Sequence, residues 1–204
     1  MAAAKVAIVY YSMTGRTYRV AQAVEEGARA AGAETRLRKV RDLVPPEVIA
    51  GVAPWQANVE ATSGVPEASL GDLEWSDGYI FGTPTRYGSV AAPLKQLIDS
   101  TGPLWGQGKL ANKAAAAFTG AQNPHGGQES TLLSLYNVFH HWGAVVVAPG
   151  YTDPAIFAAG GNPYGVSFTA NRDTVAEEVL AAARYMGGRV ARYAALIAEN
   201  RGRL

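Results

Sequence analysis

Residues 6–17 read VAIVYYSMTGRT, an apolar run that stops abruptly at a cluster of hydroxyl groups and a glycine. A helical pattern follows at once, so the segment predicts a buried strand, a tight loop and a helix N-terminus. Such a loop directs several backbone N–H groups at one spot, where the helix dipole adds partial positive charge. The segment therefore predicts a phosphate site made of Ser12, Met13, Thr14, Gly15, Arg16 and Thr17.

Composition narrows the possible classes of protein. The chain has 204 residues, of which 48% are hydrophobic and 17% charged, as expected for one globular domain spanning residues 1–204. A net charge of +1 without a basic stripe argues against nucleic-acid binding. No cysteine is present, which excludes disulfides, cysteine-based metal sites and cysteine nucleophiles, so redox chemistry requires a bound cofactor. We see no signal peptide and no membrane-spanning apolar run, and expect a cytoplasmic protein.

Strand and helix patterns alternate along the chain. Strands are predicted at residues 5–11, 33–40, 78–82, 113–118 and 143–147. Helices are predicted at residues 17–31 and 128–140, after an N-cap at Ser89, and after a capping-box spacing at Thr174. Two stretches, residues 42–71 and 150–172, are proline- or glycine-bearing and without a sustained period, and are interpreted as irregular insertions. The alternation predicts a three-layer α/β/α, flavodoxin-like fold with a five-stranded parallel sheet in the order 2-1-3-4-5.

Loops after the first, third and fourth strands converge at the carboxyl edge of this sheet, where such folds bind ligands. The first loop lacks the lysine of a P-loop, which argues against triphosphates. A second glycine motif, GQGKLA at residues 106–111, follows a helix instead of a strand and is a weak dinucleotide signature. Neutral donors suit a terminal monophosphate held without a metal, and two further loops that could flank a flat ring indicate flavin mononucleotide (FMN). The alternative is that Ser12 and Thr17 are ordinary turn and cap residues.

Five short motifs, in register over nearly the whole chain, resemble those of the WrbA-type family of flavodoxin-like NAD(P)H:quinone oxidoreductases. They are SMTGRT at residues 12–17, PTRYG at 84–88, TG with GGQE at 119–129, GY at 150–151 and PYG at 163–165. The resemblance implies that the first motif binds the FMN phosphate and that the next two surround the ring. The ring-side residues it implies are Pro84, Thr85, Arg86, Tyr87, Gly88, Thr119, Gly120, Ala121, Gln122, Gly126 and Gly127.

The resemblance also implies contributions from subunit contacts, because the family is typically tetrameric. Trp105 matches a tryptophan that walls the substrate space above the flavin, with a plug at a subunit contact as the alternative role. Thr14 replaces a frequent aromatic residue, and Asn123, Pro124 and His125 lengthen the third loop. Where the family often has His-His-Gly, this chain has an extra tryptophan, so either His141 or Trp142 is expected at the flavin.

These observations predict an FMN-dependent enzyme that takes a hydride from NAD(P)H and passes two electrons to a quinone. No catalytic acid–base residue and no metal are expected. The first alternative is a flavodoxin-like electron carrier acting with a protein partner, although such carriers are commonly strongly acidic. The second is a non-catalytic interaction protein that has kept the fold and lost the flavin.

Overall fold

The computed structural model describes residues 3–170 and 174–203. Its sheet contains strands β1 (Lys5–Tyr10), β2 (Glu34–Lys39), β3 (Gly78–Pro84), β4 (Ala114–Ala121), β5 (Val145–Val146) and β6 (Val166–Thr169). All recorded strand pairings are parallel, and the main order is β2-β1-β3-β4-β5, as predicted. The predicted edge strand, β2, lies at one end of this order and is half-exposed.

The helices are α1 (Arg16–Ala30), α2 (Pro46–Ala50), α3 (Ala53–Ala61), α4 (Leu70–Trp75), α5 (Ala92–Asp99), α6 (Gly102–Gly106), α7 (Gln128–Trp142), α8 (Pro154–Ala158) and α9 (Glu177–Glu199). A short 3₁₀ helix, Arg201–Arg203, follows α9. Helices cover both faces of the sheet, which confirms the three-layer α/β/α prediction. Within the described residues, no helix is long and apolar enough to cross a membrane.

The alternation of side chains along β1 explains the two-sided core. Val6, Ile8 and Tyr10 belong to the hydrophobic cluster formed with α1 and α9. Ala7 and Val9 belong to the opposite cluster, formed with α4, α5, α6 and α7. Because successive side chains of a strand point to opposite faces, an uninterrupted apolar run is what a doubly covered central strand requires.

The two predicted irregular insertions contain regular structure, which corrects that prediction. Residues 42–71 hold α2, α3 and the start of α4, whereas residues 150–170 hold α8 and β6. Residues 171–172 of the second stretch lie outside the described part of the chain. Strand β6 pairs with Phe118–Ala121 of β4, and β5 pairs with Ala114 and Ala115 of the same strand. Since β3 occupies the other edge of β4, β5 and β6 share the fifth position of the sheet.

Several predicted boundaries were also wrong. Helix α9 begins at Glu177 with Ala176 as its N-cap and no side-chain cap bond, so the capping box at Thr174 does not form. The cap of α5 is Ala91 instead of Ser89. Strands β3 and β4 run two and three residues further than predicted, because the ladder continues through the pairs Thr83–Thr119 and Pro84–Gly120. The predicted second and third loops therefore begin inside the sheet.

Candidate functional site

The three loops at the carboxyl edge of the sheet surround one open cavity of about 640 Å³. Most of the predicted cofactor-binding residues line it: Ser12, Met13, Thr14, Arg16, Thr17, Pro84, Thr85, Arg86, Tyr87, Gly120, Ala121, Gln122 and Gly126. Asn123, Phe168 and Ala170 complete the lining. The volume falls in the range of roughly 300–1,000 Å³ that is usual for cofactor sites.

One end of the cavity is formed by the loop of residues 12–17, called the anion-binding loop after the role that the sequence predicts for it. The Ser12 hydroxyl oxygen accepts a hydrogen bond of 3.1 Å from the Gly15 N–H, which folds the loop into a tight turn. Gly15 caps α1 in the left-handed region at φ 89°, a conformation that glycine adopts without strain. The first turn of α1 carries no acidic side chain, so the positive end of the helix dipole is not neutralised there.

Hydroxyl groups surround the same end. Ser12 and Thr17 are buried, and the Thr14 hydroxyl accepts a hydrogen bond of 3.3 Å from Arg16 Nη1. This donor set is neutral apart from one guanidinium and contains no carboxylate. Its chemistry suits a phosphate monoester.

The floor of the cavity consists of the ends of β3 and β4. Thr119 is fully buried beneath it, where its hydroxyl donates a 2.7 Å hydrogen bond to the Thr83 carbonyl. The Thr85 N–H donates to the Gly120 carbonyl at 2.9 Å. Thr119 therefore supports the floor from below and does not line the cavity, in contrast to its neighbours Gly120 and Ala121.

The rim connects the first and second loops. Arg86 donates to the Thr85 carbonyl at 3.0 Å, and its other terminal nitrogen lies 3.6 Å from the Met13 sulfur. Tyr87 is fully exposed and has a left-handed backbone, with φ 52°. An aromatic side chain held in such a conformation at the mouth of a cavity stands out into solvent, where a ligand or another chain could meet it.

Gly88 and Gly127 support the site without lining the cavity. Gly127 caps α7 at φ 91°, and a Cβ there would lie 2.6 Å from the Gly88 Cα. The second and third loops are thus in backbone contact at this point. The Thr85 and Thr131 hydroxyls, 2.6 Å apart, reinforce the contact.

Three predicted residues lie away from the cavity in this chain. Trp142 is buried in the core, with its ring centroid 5.5 Å from that of Tyr79. His141 is exposed at the end of α7, and its carbonyl accepts a 2.9 Å hydrogen bond from the Trp105 indole. Within one chain, therefore, neither His141 nor Trp142 reaches the predicted flavin position, and Trp105 does not wall it.

Sequence patterns missed Phe168, Ala170 and Asn58. The Phe168 ring packs against Gly120, where a Cβ would lie 2.2 Å from the ring. The available signal was the alternation of apolar and polar residues in VSFT at residues 166–169, which neighbouring glycine and proline residues obscured. Asn58 lies behind the anion-binding loop and donates to the Ser12 carbonyl at 2.8 Å.

A buried phenol supports the loop from the sheet side. Burial raises the pKa of Tyr11 well above its ordinary value, and the hydrogen bond to Asp42 at 2.8 Å raises it further. Tyr11 is therefore a neutral hydrogen-bond donor at physiological pH. The indole of Trp55 donates to the same Asp42 oxygen at 3.2 Å, so Asp42 links the residue that follows β1 to α3.

Comparisons with known proteins agree with this geometry. The family model for NADPH-dependent FMN reductase matches residues 4–154. An NAD(P)H dehydrogenase (quinone) of Deinococcus radiodurans is 52% identical over 181 residues, covering 89% of this chain and 90% of that protein. One from Geotalea uraniireducens is 41% identical and covers 96% and 100% of the two chains. A flavodoxin, WrbA-like protein from Agrobacterium tumefaciens has a TM-score of 0.68 at 25% identity, covering 95% of this chain and 98% of that one.

These findings confirm the resemblance drawn from the five motifs. The relatives match nearly the full chain and not an isolated loop. The chain therefore belongs to the NADPH-dependent FMN reductase family.

Proposed function

We propose that this chain is an FMN-dependent enzyme that oxidises NAD(P)H and reduces a quinone. The observation that carries the proposal is the cavity itself, which joins a neutral-donor anion loop to a backbone-lined floor at the carboxyl edge of a flavodoxin-like sheet. The names of the two quinone dehydrogenase relatives support the same reaction.

The residues present fit FMN. Ser12, Thr17 and the N-terminus of α1 would hold the phosphate. The strand ends Pro84–Thr85 and Gly120–Ala121 would lie along the flat ring, where backbone groups meet its polar edge. When bound, FMN supplies hydride acceptance from a nicotinamide and two-electron donation to a quinone.

The chain's own contribution is orientation and charge. Among the described residues that line the cavity, the ionisable ones are Arg16, Arg86 and Tyr87. The two guanidinium groups favour an anionic dinucleotide entering the mouth and stabilise negative charge that develops within it. No carboxylate or histidine lines the cavity among these residues, in keeping with a reaction whose product quinol can take its protons from water.

A homotetramer with active sites completed at subunit contacts is part of the proposal. Large aromatic side chains are exposed at the cavity mouth (Tyr87), on α6 (Trp105) and in the segment that holds α8 (Tyr151, Phe157 and Tyr164). Aromatic side chains are enriched at protein interfaces relative to the rest of the surface. In such an assembly, Trp105 or His141 would lie near the flavin of a neighbouring subunit. We also propose that residues 1–204 act as one domain and, because NAD(P)H is an intracellular donor, that the enzyme works in the cytoplasm.

Steady-state kinetics test the proposal. Purified, FMN-loaded protein is expected to reduce benzoquinone with NADH or NADPH, and initial rates at several fixed quinone concentrations are expected to give parallel double-reciprocal lines. Parallel lines would show that the nicotinamide product leaves before the quinone reacts, as expected when the two substrates reach the flavin in turn. Absence of nicotinamide-driven turnover in FMN-loaded protein would favour the electron-carrier alternative, and failure to bind FMN would favour the interaction-protein alternative.

A further inference from the structure

Helix α3 presents a polar, buried face to the anion-binding loop. Trp55 and Asn58 are three residues apart and therefore share a face of the helix, and both are buried although the helix lies in a surface excursion. Trp55 reaches Tyr11 through their shared partner Asp42. Asn58 bonds directly to the next residue, Ser12. One face of α3 is thus hydrogen-bonded to Ser12 directly and linked to Tyr11 through Asp42.

The Asn58 carboxamide contacts both ends of the turn. Its Nδ2 donates a 2.8 Å hydrogen bond to the Ser12 carbonyl. Its Oδ1 lies 3.3 Å from the position that a Cβ on Gly15 would occupy. Ser12 and Gly15 are the same residues that the internal hydrogen bond of the loop joins, so the side chain fits against the closed turn.

Asn58 acts from outside the ligand cavity. It lines a second cavity of about 280 Å³ behind the loop, together with Tyr10 and Thr62, and Ser12 separates the two spaces because it lines both. Thr62 donates to the Asn58 carbonyl at 2.8 Å and so stabilises the last turn of α3. The Asn58 backbone is therefore fixed at the end of its helix, and its carboxamide reaches the loop from behind, outside the ligand cavity.

We propose that Asn58 is a positioning residue for the FMN phosphate. The Asn58 side-chain Nδ2 donates to the Ser12 carbonyl and so fixes the peptide that follows Ser12. The N–H groups of the loop and the Ser12 hydroxyl thereby keep the arrangement that binds an anion. The donated bond also withdraws negative character from a carbonyl close to the phosphate. The inference rests on the FMN site of the proposed function and is independent of the electron donor and acceptor.

The test compares two ligands that differ only in the phosphate. Apoprotein is titrated with FMN and with riboflavin, and binding is followed by quenching of flavin fluorescence. Asn58→Ala removes the hydrogen bond and is expected to weaken FMN binding about tenfold. Asn58→Asp keeps the shape, loses the donor and places a carboxylate behind the loop, and is expected to weaken it by more. Riboflavin affinity is expected to stay at the wild-type value in both variants.

Gln56→Ala is the matched control, because Gln56 is on the same helix and, within residues 3–170 and 174–203, its amide bonds only to the exposed Glu60 at 2.7 Å. It is expected to leave both affinities unchanged. Thermal unfolding of each apoprotein identifies the variants that fold, and the ratio of the two affinities is measured on those. An equal loss of FMN and riboflavin binding, or no loss of FMN binding, would overturn the positioning role. If wild-type protein binds FMN more tightly than riboflavin but fails to reduce quinone, the proposed function is contradicted and the positioning role of Asn58 is not.

Discussion

The Ser12 hydroxyl oxygen accepts a hydrogen bond of 3.1 Å from the Gly15 N–H, so the anion-binding turn is already closed in the protein alone. Closing a loop in advance lowers the ordering cost of binding. We expect Ser12→Ala to weaken FMN binding by about tenfold or more, because one hydroxyl serves both the turn and the phosphate. Isothermal titration of apoprotein measures the effect.

Ser100→Ala is the control for that change, since in the described part of the chain the Ser100 hydroxyl bonds only to the Leu97 carbonyl, at the exposed end of α5. Equal FMN affinities for the two serine variants would contradict the assignment of residues 12–17 as the phosphate site.

The packing of α1 on α9 gives a stability prediction. A Cβ on Gly187 would lie 2.0 Å from the Val24 carbonyl oxygen, and one on Gly27 would lie 1.9 Å from the Arg184 carbonyl oxygen. We expect Gly187→Ala to lower the free energy of unfolding by about 1–3 kcal/mol, although alanine favours a helix by about 1 kcal/mol over glycine. Urea denaturation measures this difference.

Gly106→Ala makes the same chemical change in α6, where a Cβ meets nothing within 4 Å. That variant is expected to be as stable as wild type or slightly more stable. If both glycine variants had wild-type stability, the close backbone contact between α1 and α9 would be disproved.

The sequence predicted the sheet because β1, β3 and β4 are buried on both faces, and an apolar run without alternation is a strong signal for that environment. It failed at α3 for the opposite reason. The buried face of α3 is made of Trp55 and Asn58, with the buried C-cap Thr62 after them, so the helix has a tertiary role without a hydrophobic stripe. Because α3 contacts the loop of residues 12–17 through polar groups, its sequence lacks the hydrophobic periodicity by which a helix is recognised.

The sequence predicted the cavity-lining residues on the loops that follow strands. It missed lining residues that come from a part of the chain distant in sequence. Phe168 and Ala170 enter only because β6 continues the fifth position of the sheet beside β4, a pairing that no local pattern specifies. The family resemblance placed either His141 or Trp142 at the flavin, whereas α7 extends to Trp142 and places its ring in the aromatic core.

Lys113 gives a pH prediction. Its amine is buried and donates to the Leu73 and Glu74 carbonyls at 2.5 and 3.0 Å. Burial, followed by the charge of Arg201, lowers its pKa from 10.5 to about 8, against the opposing effect of Asp77 and Glu74. Between these two pH values the unfolded chain binds more protons at this residue than the folded protein, so its contribution to the free energy of unfolding rises with pH.

Lys113→Met removes that contribution. We expect the difference in unfolding free energy, wild type minus variant, to increase as pH rises from about 8 to 10.5. Urea denaturation of both proteins across this range provides the measurement. A difference that stays constant or falls with pH would show that the amine binds protons at least as tightly in the folded state as in the unfolded chain.

Trp105 gives a prediction about the second substrate. Its side chain is 58% exposed and bonds to the His141 carbonyl, away from the cavity of its own chain. If it walls the quinone site of a neighbouring subunit, Trp105→Ala is expected to lower kcat/KM for quinone and leave the Kd for FMN unchanged. Trp105→Phe keeps a flat ring and is expected to retain most of the activity, and sedimentation of each variant checks that the oligomer persists. A loss of FMN affinity equal to the loss of kcat/KM would contradict this role.

The central claim is that one flavin site accepts a hydride from a nicotinamide and delivers two electrons to a quinone. The most direct measurement is the visible absorption spectrum of the FMN-loaded protein, recorded anaerobically before and after one equivalent of NADH or NADPH, and again after benzoquinone. The account predicts a flavin spectrum that bleaches with at least one nicotinamide and returns fully with one equivalent of quinone. A flavin spectrum that neither nicotinamide changes would contradict it.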